Sequence, residues 1–345
     1  MGLIGGSVGL ALRERGWFVT GRDIVDARER EALDRGIIDA AGVDPTAEIC
    51  FLATPVGEIG GEAAAVLKFP SWVVTDVGSV KGPIVAAVEN PRFVGGHPMA
   101  GSEQEGLAGS NSSMFEGAVW VLTPSERTDP EAQALVHSVV ASFGADVVTL
   151  DAEVHDRVVA MVSHVPHLTA ATLMGQAAAR AGLTGQAPLL RLAAGGFRDM
   201  TRIAAGHPGI WPDICAENQD AIVEVLDELI QQLTEVRRVV SVGDRAALVR
   251  RLERAREARL NLPTTATRPE ELVELRVGVP DRPGVLAAVT AMATQHEVNI
   301  YDIEIAHSAE GPRGVLILLV ESGKIDTFVE SLVADGYAVS QRALT

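Results

Sequence analysis

Between residues 17 and 124 the chain repeats one arrangement that few folds can accommodate. EICFLATPV (48–56) and WVVTDVGS (72–79) are short, nearly unbroken apolar runs closed by turn residues. A strand with one solvated face alternates apolar and polar residues, whereas a strand covered on both faces does not. WFVTGRD (17–23), FVGGHP (93–98) and GAVWVLTP (117–124) add further strand patterns, separated by helix-like stretches. Buried strands joined by helices imply a doubly wound, mostly parallel α/β sheet over residues 1–150.

The run before those strands, MGLIGGSVGLAL, admits three readings. A secretion signal needs basic residues ahead of its apolar stretch, but Arg13 and Arg15 follow it. Myristoylation asks for Ser or Thr at position 6, where the chain has Gly6. The third reading is a dinucleotide loop, G-x-G-x-x-G, between a first strand and a first helix. Gly2 and Gly5 supply its second and third glycines, and Asp23 stands 21 residues past Gly2 at a strand end. A carboxylate there suits the ribose hydroxyls of NAD and repels a 2′-phosphate. The alternative reading of Asp23 is a helix cap after a strand, and the cofactor role is the one favoured. The first glycine and the strand before it are missing, and a start codon placed too late is the expected cause.

From about residue 151 the pattern turns helical. DAEVHDRVVAMVSHVPHLTAATLMGQAAARAG reads as a long helix interrupted at Pro166. Ile222, Leu226, Leu229, Leu233, Val236 and Val240 follow a 4-3-4-3-4 spacing, a seam for packing on another helix. An intramolecular bundle and a dimer interface fit that seam equally. The polar stretch 259–271 reads as a linker. Beyond it a β-α-β-β-α-β pattern over 271–345 implies a ferredoxin-like module. The expected domains are therefore 1–150, 151–260 and 271–345.

Two segments concentrate chemistry-bearing residues. DVGSVKG (76–82) closes a strand at the sheet edge where α/β folds bind ligands, with Ser79 as a helix N-cap, a substrate contact, or both. In GGHPMAGSEQEG (95–106), His97 sits between glycines and proline, a setting for a catalytic group rather than a core histidine. Arg202, in AGGFRDMTRIAAGHPGIW (194–211), is either a salt-bridge residue or a bidentate grip on a carboxylate. SHVPH (163–167) spaces His164 and His167 like metal ligands, but no third ligand completes a site, so no metal is expected. One of these histidines is expected to line the pocket and the other to be structural, with His155 a weaker candidate.

GLIGGSVGLAL, DVGSVKG, GGHPMAGSEQEG, FEGAVWVLTP, SHVPH and GGFRDMTRIA occur in this order in prephenate dehydrogenases, and residues 2 to about 245 resemble that family. VPDRPGVLAAVT and VNIYDIEI resemble an ACT domain, a regulatory amino-acid-binding fold. The resemblance implies NAD-dependent oxidative decarboxylation of prephenate to 4-hydroxyphenylpyruvate, in tyrosine biosynthesis. It implies His97 as the acceptor of the hydroxyl proton, oriented with Ser79. Arg202 matches the carboxylate-binding arginine, His167 a pocket histidine, and Thr54 and Pro55 positions beside the cofactor. Arogenate dehydrogenase is the alternative activity, and a non-catalytic amino-acid sensor the alternative class. In the C-terminal module, Gly284 at a strand–helix turn and Asn299 before the next strand are candidate contacts for a tyrosine or phenylalanine effector. For both, a purely conformational role stands level with binding.

The formal net charge of −17 argues against nucleic acid and anionic membranes as partners. No charge-free run of 18 apolar residues exists, so no membrane span is expected. Cys50 and Cys215 are far apart, which fits a reducing cytoplasm. A homodimer is the expected assembly.

Overall fold

A computed structural model describes residues 1–101, 104, 106–184, 193–261, 272–280, 282–307, 313–321, 323 and 325–343. The chain folds as two compact units, Met1–Gln232 and Leu233–Thr345.

The first unit opens with α1 (Leu3–Glu14), β1 (Thr20–Gly21), α2 (Asp26–Asp34) and β2 (Ala40–Ala41). There follow β3 (Ile49–Leu52), α3 (Val56–Val66), β4 (Val73–Asp76), α4 (Gly82–Ala87) and β5 (Phe93–Pro98). The sheet ends with β6 (Val119–Thr123), α5 (Pro130–Ser142) and β7 (Asp146–Thr149). β1 and β2 pair in parallel as a separate two-stranded ladder. The main sheet runs β3-β4-β5-β6-β7, and only the β5–β6 pair is antiparallel. This is the Rossmann-like α/β architecture that the unbroken apolar runs imply.

Val8, Ala11 and Leu12 place the buried stripe of α1 on a core shared with Phe115, Trp120 and Phe143. The rings of Phe115 and Trp120 meet edge-on at 4.9 Å. Truncating a side chain of this kind costs about 3–5 kcal/mol. Gly5 lets α1 lie against the end of β3, because a Cβ there would come 2.8 Å from the Ala53 Cβ.

The helices continue with α6 (Ala152–Val159), a π-helical turn (Ala160–His164), α7 (Val165–Thr184) and α8 (Gly195–Thr201). After these come α9 (Trp211–Glu217), α10 (Gln219–Ser241) and α11 (Arg245–Leu260). Pro166 does not break the long helix as its sequence suggests. The chain widens to π geometry just ahead of the proline, whose missing N–H would otherwise interrupt the ladder, and Val165 N–H bonds the Ala160 carbonyl. The continuous helix Ala152–Arg180 is long and apolar enough, by length and hydropathy alone, to cross a membrane. Its buried His155, Asp156 and His164 instead face the first unit's own polar network.

Helices α6 and α9 pack directly on α4 and α3 of the α/β half. The heptad seam is also only partly a core. Ala221, Ile222 and Val225 are buried against Ala160 and Val165, while Leu233 and Val240 are 55% and 60% exposed.

In the second unit β8 (Leu272–Pro280), α12 (Val285–Gln295), β9 (Ile300–His307), β10 (Arg313–Glu321), α13 (Ile325–Ala334) and β11 (Ala338–Ala343) form the ferredoxin-like module. Its antiparallel sheet has the order β11-β8-β10-β9. Leu275, Val277, Leu316 and Leu318 pack one sheet face on Val289, Phe328 and Leu332.

Candidate active site

The carboxyl ends of β4 and β5 and the inner face of α6 enclose a buried polar chain. His97, on β5, is 9% exposed. Its Nδ1 lies 2.8 Å from Nε2 of His155, and Nδ1 of His155 lies 2.8 Å from Oδ1 of Asp156. Asp156 is fixed in turn: Oδ1 accepts the Lys81 backbone N–H at 2.8 Å and Oδ2 accepts that of Gly82 at 2.6 Å. The carboxylate of α6 therefore caps α4 from across the site, and Ser79 is not the cap. Gly82 is required by this approach, since a Cβ would sit 2.8 Å from Asp156 Oδ2.

These contacts set the proton positions. A carboxylate already accepting two backbone N–H groups takes a third from His155 Nδ1, which leaves His155 Nε2 unprotonated in the neutral ring. That nitrogen accepts from His97 Nδ1, so Nε2 of His97 becomes the acceptor of the chain. Burial pushes His97 well below the usual histidine range, and the Lys81 ammonium acts in the same direction. The ring is neutral at physiological pH, as a proton acceptor must be.

A second cluster adjoins it. His164 is buried, pushed down to about 4 chiefly by burial, and its Nδ1 lies 3.2 Å from Asn218 Nδ2. Asn218 also donates to the Asp156 backbone carbonyl at 2.9 Å. Trp211 receives His167 stacked at 3.7 Å between centroids and His164 edge-on at 6.1 Å. His164 is thus the buried member of SHVPH, while His167 is half-buried against the indole.

Ser79 lies half-buried in the loop after β4. The hydrogen-bond partner of His97 Nδ1 is His155. Arg202 is exposed and opens on a cleft of about 660 Å³, mostly apolar, walled by Val165, Thr169, Leu173, Ile203 and Leu229 among others. Neither His97 nor Ser79 lines that cleft. Gly2 stands at the N-terminus of α1, where a Cβ would meet nothing within 4 Å, beside a cavity of about 270 Å³. Thr54 and Pro55 are exposed at the carboxyl end of β3. Asp23 accepts the Val25 N–H, pairs with the amino group of Met1, and has Arg28 at 3.8 Å.

In the C-terminal module Gly284 adopts φ 90° as N-cap of α12. Asn299 is exposed before β9. The helix exit is made by Glu297, at φ 53°, and not by Asn299. Gly284 and Asn299 flank opposite ends of an 11-residue helix, about 16 Å apart by helical rise.

Asp156, Lys81, Asn218 and Trp211 were not singled out by the sequence reading. One signal was present: His155 and Asp156 precede buried Val159 and Ala160 by four residues, which puts a polar pair on an apolar helix face.

Comparison with known proteins locates two adjoining matches. The family described as "Prephenate dehydrogenase, nucleotide-binding domain" matches residues 8–149. The one described as "Prephenate dehydrogenase, dimerization domain" matches residues 151–254. A prephenate dehydrogenase of Bacillus subtilis is 35% identical over 93% of this chain and 91% of its own length. The crystal structure of prephenate dehydrogenase from A. aeolicus with hydroxyphenyl propionate and NAD+ superposes with a TM-score of 0.69 at 31% identity, covering 76% of this chain and 96% of that one. Synechocystis arogenate dehydrogenase gives a TM-score of 0.65 at 33% identity, over 75% of this chain and 96% of its own.

Proposed function

Because the chain belongs to the prephenate dehydrogenase family, we propose that it oxidises prephenate with NAD, releasing CO2 and forming 4-hydroxyphenylpyruvate for tyrosine synthesis. The observation that carries this reading is the Asp156–His155–His97 chain, which presents one neutral, oriented imidazole nitrogen at the edge of a Rossmann-like sheet.

The residues at the sheet edge fit the cofactor. The open backbone at Gly2 and the uncapped N-terminus of α1 suit a pyrophosphate, with Asp23 for the ribose and Thr54 and Pro55 alongside. NAD, when bound, supplies the hydride acceptor. His97 Nε2 accepts the proton of the carbinol hydroxyl, and Asp156, through His155, stabilises the imidazolium that results. Ser79, at the end of β4, is suited to hydrogen-bond the same hydroxyl. Arg202 and His167 are assigned to the substrate's carboxylates. Loss of the ring carboxylate is driven by aromatisation, so no enzymic electron sink is required.

Arogenate is the second substrate to consider, on the strength of the Synechocystis likeness. NADH formation measured in parallel with both substrates decides between them. In that assay His97→Asn is expected to lower kcat by about 10²–10⁴-fold. Near-normal turnover in this variant overturns the assignment.

The exposed apolar residues of α10, Ile230, Leu233 and Val240, support a homodimer, as does the match to a dimerisation domain. The ferredoxin-like module we read as an ACT domain that senses tyrosine or phenylalanine. Gly284 and Asn299 flank opposite ends of α12, so an effector site that uses both has to be assembled from two modules.

A further inference from the structure

Lys81 is a charged side chain with no exposed surface, a costly placement that the proton-transfer scheme does not use. Its ammonium pairs with the carboxylate of Asp76, also fully buried, and donates to the Gly96 carbonyl at 2.9 Å. Asp76 accepts the Gly96 N–H on Oδ1 at 3.0 Å and the Gly78 N–H on Oδ2 at 2.9 Å. The ion pair thus holds both backbone polar groups of the residue that immediately precedes His97. Gly96 itself admits no side chain, since a Cβ would stand 2.6 Å from the Asp76 carbonyl oxygen and 2.8 Å from Thr75 Oγ1. The next residue along from Lys81, Gly82, gives its N–H to Asp156 at the far end of the histidine chain. One short segment therefore touches both ends of that chain.

We propose that the buried Asp76–Lys81 pair is a positioning device for the proposed reaction: it clamps the Gly96 peptide, fixes the imidazole of His97 against His155, and sets the Lys81 ammonium beside the base. The inference rests on the reading of His97 as proton acceptor. The charge works through space. A cation near an imidazole disfavours the imidazolium, so the base stays neutral into acid pH. Among the described residues, the other charged or titratable groups facing His97 are His155 and Asp156 from α6, His164 from the π turn and Asp76 from β4. From the β6 side its register partner is Val121, with Trp120 beside it, and neither titrates. Burial pulls the Lys81 ammonium down from its usual range, and Asp76 counters that pull.

The test uses the full-length protein with saturating NAD and compares the parent with Lys81→Met, His97→Asn and the double variant Asp76→Asn/Lys81→Met. The double variant keeps an acceptor for the Gly96 N–H and leaves no unpaired buried charge should Lys81→Met fail to fold. Two readouts are taken: kcat and KM against pH, and the imidazole 15N shifts of His97 against pH. With Lys81 replaced, kcat is expected to fall about 10–100-fold while KM for prephenate stays within about threefold. The acid limb of kcat, and the His97 titration with it, should move up by about one pH unit. A merely structural role would lower the yield or the melting temperature without moving the His97 titration. If that titration is unmoved in the lysine variant, or kcat is unchanged in the double variant, the inference is overturned. Failure of the underlying reading looks different: His97→Asn then turns over normally and retains the acid limb.

Discussion

Replacing Asp156 with Asn separates the two tasks the structure gives this carboxylate. As a carboxylate it accepts three N–H groups, from Lys81, Gly82 and His155. An amide of the same shape offers one oxygen and one NH2. If the oxygen keeps the Oδ1 place, facing Lys81 N–H and His155, the NH2 points at the Gly82 N–H, donor against donor. A buried N–H left without an acceptor costs about 1–3 kcal/mol. At a few degrees per kcal/mol for a unit of this size, a loss of about 2 kcal/mol lowers the melting temperature by about 4–8 °C. The catalytic effect is separate. An amide can accept from the Nδ1–H tautomer of His155 or, turned over, donate to the Nε2–H tautomer, so it no longer dictates which nitrogen of His97 is the acceptor, and it carries no charge to balance an imidazolium. General-base contributions span about 10²–10⁴-fold, and Asp156 acts through an intervening ring, so a fall in kcat of about 10²-fold is expected. KM for prephenate should change less than threefold, because Asp156 is not placed to touch the substrate. NADH formation at saturating NAD, read beside a thermal melt, checks both. A variant that melts early yet keeps kcat within about threefold of the parent would show Asp156 to be a helix cap alone, and would refute the proton-relay reasoning.

Gly82→Ala should reproduce part of that loss of kcat without touching any titratable group, because the new Cβ displaces Asp156 Oδ2; unchanged kcat contradicts the geometry. Arg202→Gln should raise KM for prephenate about tenfold or more with little change in kcat, as expected for uniform binding of a carboxylate, whereas an unchanged KM frees its cleft for subunit contact. His164, held neutral with its pKa near 4, contributes stability that is present above the unfolded value of about 6.5 and is lost as the pH falls through the folded one. The melting temperature should accordingly decline between about pH 6.5 and pH 4, and less so in His164→Gln. Removal of residues 271–345 should leave turnover intact and abolish inhibition by tyrosine; inhibition that persists points to competition at the prephenate site.

The parts of this fold that were legible in the sequence are those in which burial acts on consecutive residues. Unbroken apolar strands at 49–52 and 73–76 can exist only between two covering layers, and β3 and β4 are there, parallel and adjacent. The glycine at position 5 was legible for the same local reason, a helix lying too close to a strand for any Cβ. The relay was not legible, because it joins residues 58 apart, and no periodicity links a strand's end to a later helix. Ser79 as a cap fails on similar grounds. Local rules look for a capping side chain within the turn, whereas here a carboxylate 74 residues away takes the position.

Lys81 marks the limit of composition arguments most sharply. A lysine in a glycine-rich loop after a strand reads as solvent-exposed, since lysine is almost never fully buried unless paired. Its partner Asp76 sits five residues earlier at the end of β4, where the same rules read a turn former. Each residue alone is unremarkable, and together they cost a desolvation that stability does not require, since a buried ion pair is often replaceable by apolar residues without loss. A pair so placed beside a histidine fits the positioning role proposed above. The backbone groups it grips, the N–H and carbonyl of Gly96, put the pair's hold on the residue that precedes His97.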